Sequence, residues 1–575
     1  TGGRGVDVGD VPIEHIARIE VIRGPGSALY GADAYSAIIN IITKTQHDLQ
    51  GTQIGMRYGS FRSRDVWLEH GSKHGKLELA SYLRWGHTEG SKEIIEADAQ
   101  SARDKIFGTH ASLAPGPINR GYHALDGHLD LALDKWRWRA GYTLRTNSGT
   151  GAGVAATLDP VGKSAHETIT SDLSWSDAQF APNWGAGLLL SYMGYKQRIE
   201  EHLRLAPPGT RLSTGLFADG QIGHPDTSER QIRASAYLTY TGFEYHKLRV
   251  GLGHDDLNMY ATATFKNYLF NANGVPVPAG PVADYSQIQA FLLPQRRKLD
   301  YIYLQDEWQL AKDLSLTGGI RHDRYSDFGA TTNPRLALVW KASYELTAKL
   351  LYGSAFRAPS FNESYSINNP VLRGNPNIQP ETIKTLEAAL NWQMRPDSQL
   401  SLNLFQYKMK DIIGAVANPA PAIGATYFNT GNQQGRGLEV EFSSDAISDW
   451  HLNANYAYQR SINQTTNSDA GYAPHHHFYL HANWRFKAGW QLGGQLNHVA
   501  QRLRPAGDTR PAIADYTSVD LTLRHNAANS PWQISATIRN LFNADIREPS
   551  PAPGAIVNDL PMPKRNAYVQ LSYQF

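Results

Sequence analysis

Segment after segment of this chain alternates apolar and polar residues with a period of two. Trp136, Trp138, Ala140, Tyr142 and Leu144 are separated by Arg137, Arg139, Gly141, Thr143 and Arg145. Leu452, Ala454, Tyr456 and Tyr458 alternate with His451, Asn453, Asn455 and Ala457, and Trp532, Ile534, Ala536 and Ile538 with Gln533, Ser535, Thr537 and Arg539. Such segments are β-strands with one apolar and one polar face. No apolar run approaches the roughly 18 residues that a membrane helix needs. Two architectures remain. A soluble sandwich turns its polar faces outward to water, whereas a membrane barrel turns them inward and gives its apolar faces to lipid.

The connections favour the barrel. Very short polar turns, as in "LDKWR" at 133–137, "LAKDL" at 310–314 and "FKAGW" at 486–490, alternate with long connections near 90–121, 199–228, 259–297, 356–381, 412–429 and 545–565. One rim with tight turns and one with large loops is the pattern of an outer-membrane barrel. Walking the chain from Gly51 to Phe575 predicts about 22 strands. A propeller would show a fixed repeat, and none is found. The terminal "NAYVQLSYQF" places Ala567, Val569, Leu571, Tyr573 and Phe575 on one apolar stripe. Aromatics at 10%, with 29 Tyr and 13 Trp, suit interfacial girdles. A net charge of +2 without a basic block argues against nucleic acid as a partner. The absence of Cys removes thiol chemistry, disulfides and Cys-ligated zinc. No signal peptide precedes Thr1, so the chain reads as either a cytosolic protein or a mature or trimmed form.

The first residues read differently. "IARIEVIRGPGSALYGADAYSAIINIITK", Ile16 to Lys44, sets two apolar strands around a Gly-rich turn. Gly24, Gly26 and Gly31 fit positive φ or close backbone approach. A phosphate-binding loop would need a Lys-Ser/Thr continuation and a following helix, which are missing.

This stretch closely resembles the end of the plug domain of TonB-dependent outer-membrane receptors: Arg18 and Glu20 on the first strand, then Arg23-Gly24-Pro25, the Tyr30-Gly31 turn and the strand Ile38 to Thr43. "YGSAFRAPSFNESYSINNPVLRGNPNIQPE" at 352–381 resembles the Phe-Arg-Ala-Pro … Asn-Pro-Asn … Pro-Glu element of these receptors, a strand running into a long extracellular loop. "NTGNQQGRGLEVEF" at 429–442 and "IRNLFNADIREPSP" at 538–551 follow in the family's order. The resemblance implies an all-β membrane protein, an antiparallel transmembrane barrel of about 22 strands at 49–575 with a globular plug in its lumen. Residues 1–48 then form the C-terminal part of that plug. Its earlier part and a TonB-contacting segment are expected ahead of Thr1. The implied setting is the outer membrane of a Gram-negative bacterium. The implied activity is import of a scarce, bulky ligand by a monomer, driven through TonB with ExbB and ExbD, with no cofactor and no catalytic residue.

A lumen this wide cannot be filled by wall side chains, so the plug must meet a polar wall. Arg23, Glu14, Arg18, Glu20 and Asp33 are the expected plug contacts, and Arg137, Arg139, Glu439 and Glu441 the expected wall positions. Glu20, Arg23, Gly24 and Gly31 are assigned to holding or gating the plug. Candidate ligand residues are Arg357, Asn362, Tyr365, Asn369 and Arg373 in the long loop, with Tyr325, Tyr427 and Arg436 at strand ends. Arg and Tyr suit an anionic, aromatic iron chelate, so a ferric siderophore is the expected cargo. Haem or a cobalamin-type cofactor is the alternative. Haem receptors of the family commonly carry a His between the two loop motifs, and 360–374 contains none. In "APHHHFYL", alternation lets only His475 and His477 share a site. "GHDDLN" at 253–258 offers oxygen ligands for calcium. An outer-membrane enzyme would need a nucleophile or zinc motif that is absent, and a passive porin would lack the plug.

Overall fold

A computed structural model describes residues 11–575 except 25, 33, 50, 528–529 and 551–555. Pro25, Asp33 and Pro551 therefore lie outside the described residues, as do the first ten residues of the N-terminal module.

That module begins with a 3₁₀ turn, Ile13–His15, and folds into an antiparallel hairpin of β1 (Ile16–Arg23) and β2 (Ala37–Thr43). A short helix, α1 (Ser27–Tyr30), spans the connection. The register pairs Glu20 with Asn40 and Arg23 with Ala37, and no third strand joins this sheet among the described residues.

Twenty-two antiparallel strands then close into a barrel. They run β3 (Gly51–Gly59), β4 (Ser63–His74), β5 (Leu77–Thr88), β6 (Tyr122–Leu133) and β7 (Trp136–Gly149). Next come β8 (Lys163–Ala181), β9 (Trp184–Glu201), β10 (Gln221–Tyr240), β11 (His246–Phe270), β12 (Gln295–Ala311) and β13 (Leu314–Tyr325). β14 (Gly329–Lys341), β15 (Leu346–Arg357), β16 (Glu381–Arg395), β17 (Ser398–Lys410) and β18 (Gln433–Ser444) follow. The wall ends with β19 (Trp450–Asn463), β20 (Pro474–Lys487), β21 (Trp490–Arg502), β22 (Tyr516–Asn526), β23 (Trp532–Arg539) and β24 (Asn566–Gln574). Pairing of β24 with β3, from Gln53↔Gln574 to Gly59↔Tyr568, completes the ring.

The alternation sets the two faces. Ile54, Leu68, Leu83, Leu190, Ile302 and Leu404 stand exposed on the outside as a lipid-facing belt. At the tight-turn rim the outward positions are aromatic, with Trp136, Trp184, Trp308, Trp340, Trp392 and Trp532 all exposed. Trp450 and Trp484 stack there at 5.5 Å. Tight turns mark the periplasmic rim of such a barrel and long loops its exterior rim, so this aromatic girdle lies at the periplasmic interface.

The tight turns fall where expected, at 134–135, 312–313 and 488–489. Two long connections are shorter than expected, 202–220 rather than 199–228 and 271–294 rather than 259–297, because β10 and β11 continue past the membrane. β11 has 25 residues, about 80 Å of strand, against the roughly 10 residues needed to cross. Its outer end packs Tyr268 with Phe217 and Phe291 in a small extracellular core.

Candidate functional site

The plug's charged side chains meet the wall on two sides, while Ala32 and Tyr35 pack against β12 to β16. On the first, Glu14 accepts from Arg57 Nη1 of β3 at 2.6 Å. Arg57 also holds Asp65 of β4 at 2.8 Å, Asp65 accepts from Arg84 of β5 at 2.6 Å, Arg84 reaches Asp126 of β6 at 3.3 Å, and Asp126 accepts from Arg145 of β7 at 2.8 Å. Three carboxylates and three guanidiniums thus form a ladder across five strands, each from an inward position. Beside it, Lys44 donates to the fully buried Glu69 at 2.8 Å. The buried His15 ring lies 3.6 Å from Glu69 and stacks on Tyr82 at 4.7 Å.

The second contact crosses the lumen. Arg23 donates to Glu439 at 2.7 Å and to Glu441 at 3.5 Å, both on β18. It remains 52% exposed, so water competes for it. Glu20 stays within the hairpin, accepting from Arg18 at 2.8 Å and Asn40 at 3.2 Å; the Arg18 bond holds its carboxyl below the ordinary value. Gly24 has φ +76°, and a Cβ there would sit 2.1 Å from Glu387 Oε1. Gly31 has φ +79°, and its Cβ would meet Arg321 at 2.9 Å. At both positions only glycine combines the backbone angle with the close approach.

At the mouth, several expected ligand residues are engaged in structure. Arg357 forks between Glu381, at 2.9 and 3.0 Å, and Glu363, at 2.9 and 3.0 Å. Ser360 and Glu363 form a reciprocal cap on the helix α2 (Phe361–Tyr365). Burial favours a raised Glu363 carboxyl, but the Arg357 and Ser360 bonds outweigh it and hold it below the ordinary value. Tyr325 is buried with Ala32 of the plug, Leu299 and Phe356, and stacks on Phe328 at 4.3 Å. Arg297, absent from the expected set, is buried beneath them, donating to Asp327 and to the Pro359 carbonyl at 2.8 Å each. Arg373 donates to the Gly274 carbonyl at 3.0 Å and lies over Phe270, joining two loops. The Asn369 side chain accepts from the Val371 and Leu372 amides.

Arg436 is corrected. Glu439 and Glu441 face the lumen, so the even positions of β18 face outward, and Arg436 lies on the membrane side opposite Arg460. His475 and His477 share the inner face, yet His475 binds Asp469 at 2.7 Å and His477 binds Asn497 at 2.6 Å. Asp256 is held on the outer face by Arg296, while Asp255 points the other way toward Arg233 at 3.6 Å, so "GHDDLN" does not gather oxygens. No His, Asp or Glu cluster able to hold a metal occurs among the described residues. Asn362 is exposed on α2. Tyr365 is partly exposed, its hydroxyl 3.4 Å from Asp327, and Tyr427 is half-buried, its phenol raised by burial. Of the mouth candidates, Asn362 is the one fully open to solvent.

A polar cavity of about 1090 Å³ runs beside the plug on the anchored side, from Ser60 and Phe61 near the loop rim to Lys487 and Gly489 at the turn rim. Glu14, Lys44, Arg57, Arg524 and Arg539 line it.

A closed 22-strand barrel, its mouth walled by long loops and its lumen entered by a polar-docked hairpin, defines a plugged outer-membrane receptor. Residues 97–541 match the family described as TonB dependent receptor-like, beta-barrel, and residues 1–38 match the TonB-dependent receptor plug domain. The chain belongs to the TonB-dependent receptor family and resides in the outer membrane. Among curated relatives, an iron-regulated outer membrane virulence protein of Vibrio cholerae is 24% identical over 95% of this chain and 78% of its own length. A vitamin B12 transporter BtuB of the same species is 22% identical over 99% and 81%. Among solved structures, the ferric enterobactin receptor PfeA of Pseudomonas aeruginosa superposes with a TM-score of 0.74 at 17% identity, over 99% of this chain and 86% of that one. A copper transporter, OprC, gives 0.76 at 14% identity, over 99% and 87%. At these identities the structural likeness concerns the fold.

Proposed function

We propose that this receptor imports a ferric siderophore, with TonB, ExbB and ExbD supplying the work from the inner membrane. The observation that carries the reading is the asymmetric docking of the plug hairpin: a buried anchor on β3 to β7, and a half-exposed, water-competed contact at Arg23. Such contacts suit a plug that is pulled and returns. Residues 1–48 act as the plug portion and 49–575 as the barrel, and closure within one chain favours a working monomer. Asn362, Tyr365 and Tyr427 are the mouth residues through which the ligand is bound, with Arg357, Arg373 and Asn369 shaping the loops that present them.

Similarity to an iron-regulated outer-membrane protein supports an iron cargo. A cobalamin-type ligand is the second reading, favoured by the likeness to a B12 transporter. Haem is disfavoured, since His475 and His477 are each bound to a neighbour. A deletion strain grown on ferric siderophores, haem and cobalamin tests all three. Loss of growth on one siderophore, restored by the gene only when TonB is intact, is expected. Unchanged uptake of every iron source alongside lost cobalamin uptake would overturn the siderophore reading in favour of the second.

A further inference from the structure

Two adjacent rungs at the extracellular end of β15 and β16 hold different parts of the molecule. Phe356 pairs with Thr382, and one step higher Arg357 pairs with Glu381. The lower rung meets the plug. The Thr382 carbonyl accepts from the Tyr35 hydroxyl at 3.3 Å, and the fully buried Phe356 belongs to the apolar group that encloses Ala32. The upper rung meets the mouth. Arg357 grips Glu363 of α2, and the buried Glu381 binds Arg357 while its Oε1 accepts from the Ile413 amide at 2.7 Å. Tyr35 also lies within the field of both Glu381 and Arg357.

Glu381 thereby secures two loops rather than one. Ile413 opens the short strand Ile413–Ala417, which pairs with Ala425–Asn429, and Leu372–Arg373 of the neighbouring loop joins the same sheet. Tyr427 stands on the middle strand of that sheet, opposite Ala415. Asn362 and Tyr365 stand on α2, which Glu363 ties to Arg357. The three residues assigned to the ligand are thus carried by segments that converge on one buried ion group. Planar peptide units join its rung to the rung that holds the plug, so a shift of one displaces the other. Close packing leaves such a shift little room to dissipate.

We infer that Tyr35 and Glu381 are positioning residues: the seated plug turn between β1 and β2, acting through Thr382 and Glu381, holds the mouth loops in their ligand-binding posture, and unseating it slackens them. The inference rests on the reading of Asn362, Tyr365 and Tyr427 as the ligand contacts. The pull that displaces the plug then also weakens the hold of the mouth on its cargo. Linkage makes the effect reciprocal, so loosening the loops loosens the plug turn by the same factor.

The chain contains no Cys, so a nitroxide attached to Asn362→Cys reports on α2 without background. A second, on Ala506→Cys, reports on the 503–515 connection, where Ala506 is exposed outside the group. In the full chain folded in detergent, Tyr35→Ala is expected to raise the mobile fraction of the label at 362 about fivefold or more and to leave the label at 506 unchanged. Tyr35→Phe, which keeps the ring and loses the hydroxyl, should give a smaller rise. Glu381→Gln should mobilise the label at 362 and speed proteolysis of the plug turn by a similar factor. Adding Tyr35→Ala to Glu381→Gln should then add little. If Tyr35→Ala does not fold, as judged by circular dichroism, Tyr35→Phe carries the test. Unchanged mobility at 362 in the Tyr35 variants, or equal mobilisation at 506, overturns the inference. No cargo enters the measurement, so its outcome stands apart from which ligand is imported.

Discussion

The two sides on which the plug hairpin meets the barrel differ in kind. On the β3 to β7 side, six charges from six segments neutralise one another in sequence, and Lys44 reaches a Glu69 from which water is excluded. On the β18 side, the charged contact is Arg23, which spans to Glu439 and Glu441 and stays half in water, beside the Tyr35 hydroxyl donating to the Thr382 carbonyl of β16. A buried pair is costly to break because each partner is left uncompensated. A solvated pair loses little, since water replaces it. The anchored side is also the side on which the chain enters the wall at β3, so covalent continuity and buried charge hold the same edge. Of the two charged contacts, the Arg23 one is therefore the easier to release.

The largest effect is expected from Asp65→Ala, which leaves Arg57 with Glu14 alone and Arg84 with only its 3.3 Å contact to Asp126. It should lower unfolding stability by about 3–5 kcal/mol, measured by denaturant titration in detergent. A change below about 1 kcal/mol would mean that water already fills the ladder. Lys44→Ala leaves Glu69 with His15 alone and should loosen the hairpin by about 1–3 kcal/mol, seen as faster proteolysis within 12–43, with Lys44→Arg restoring protection. Gly24→Ala forces a Cβ against Glu387 at positive φ and should cost about 1–2 kcal/mol, read in the same assay. Arg23→Ala should cost less than about 1 kcal/mol, yet raise the frequency of channel openings in planar bilayers. Equal proteolysis of the Lys44 and Arg23 variants would erase the distinction between the two sides.

The smallest expected effect is at the mouth. Because the Glu363 carboxyl lies below its ordinary 4.5 in the folded state, its contribution to the Arg357 clamp is complete above that value. It is lost as pH falls through the lowered one. Protease sensitivity of the 358–380 loop should therefore be flat from pH 8 to 5 and rise only slightly, under stronger acid. In Glu363→Gln the same loop should be more sensitive at neutral pH and respond less to acid.

Much of the wall was legible because lipid enforces period two: where one face must be apolar, sequence and strand coincide. The signal stops at the membrane edge. β10 and β11 continue as paired strands outside lipid, where both faces can be polar, and their outer ends read as loop. The ladder was missed for a different reason. Arg57, Asp65, Arg84, Asp126 and Arg145 are each ordinary inward positions, and only the register of five strands brings them together. Arg436 could have been placed from sequence, because Leu438, Val440 and Phe442 fix the even phase of its strand. Tyr325 could not, since its burial depends on Ala32 of the plug arriving from the other end of the chain. Residue type suggested a ligand contact, and packing decided otherwise.

β3 carries two seams at once. Along one edge it bonds β24, joining the first and last strands of the ring, and its Arg57 grips Glu14 of the plug. No pairing in the wall joins residues more distant in sequence, so it has the highest entropic barrier to closure. The strand that seals the cylinder is thus also the one that seats its stopper, so a lesion at Arg57 reaches both the seam and the plug.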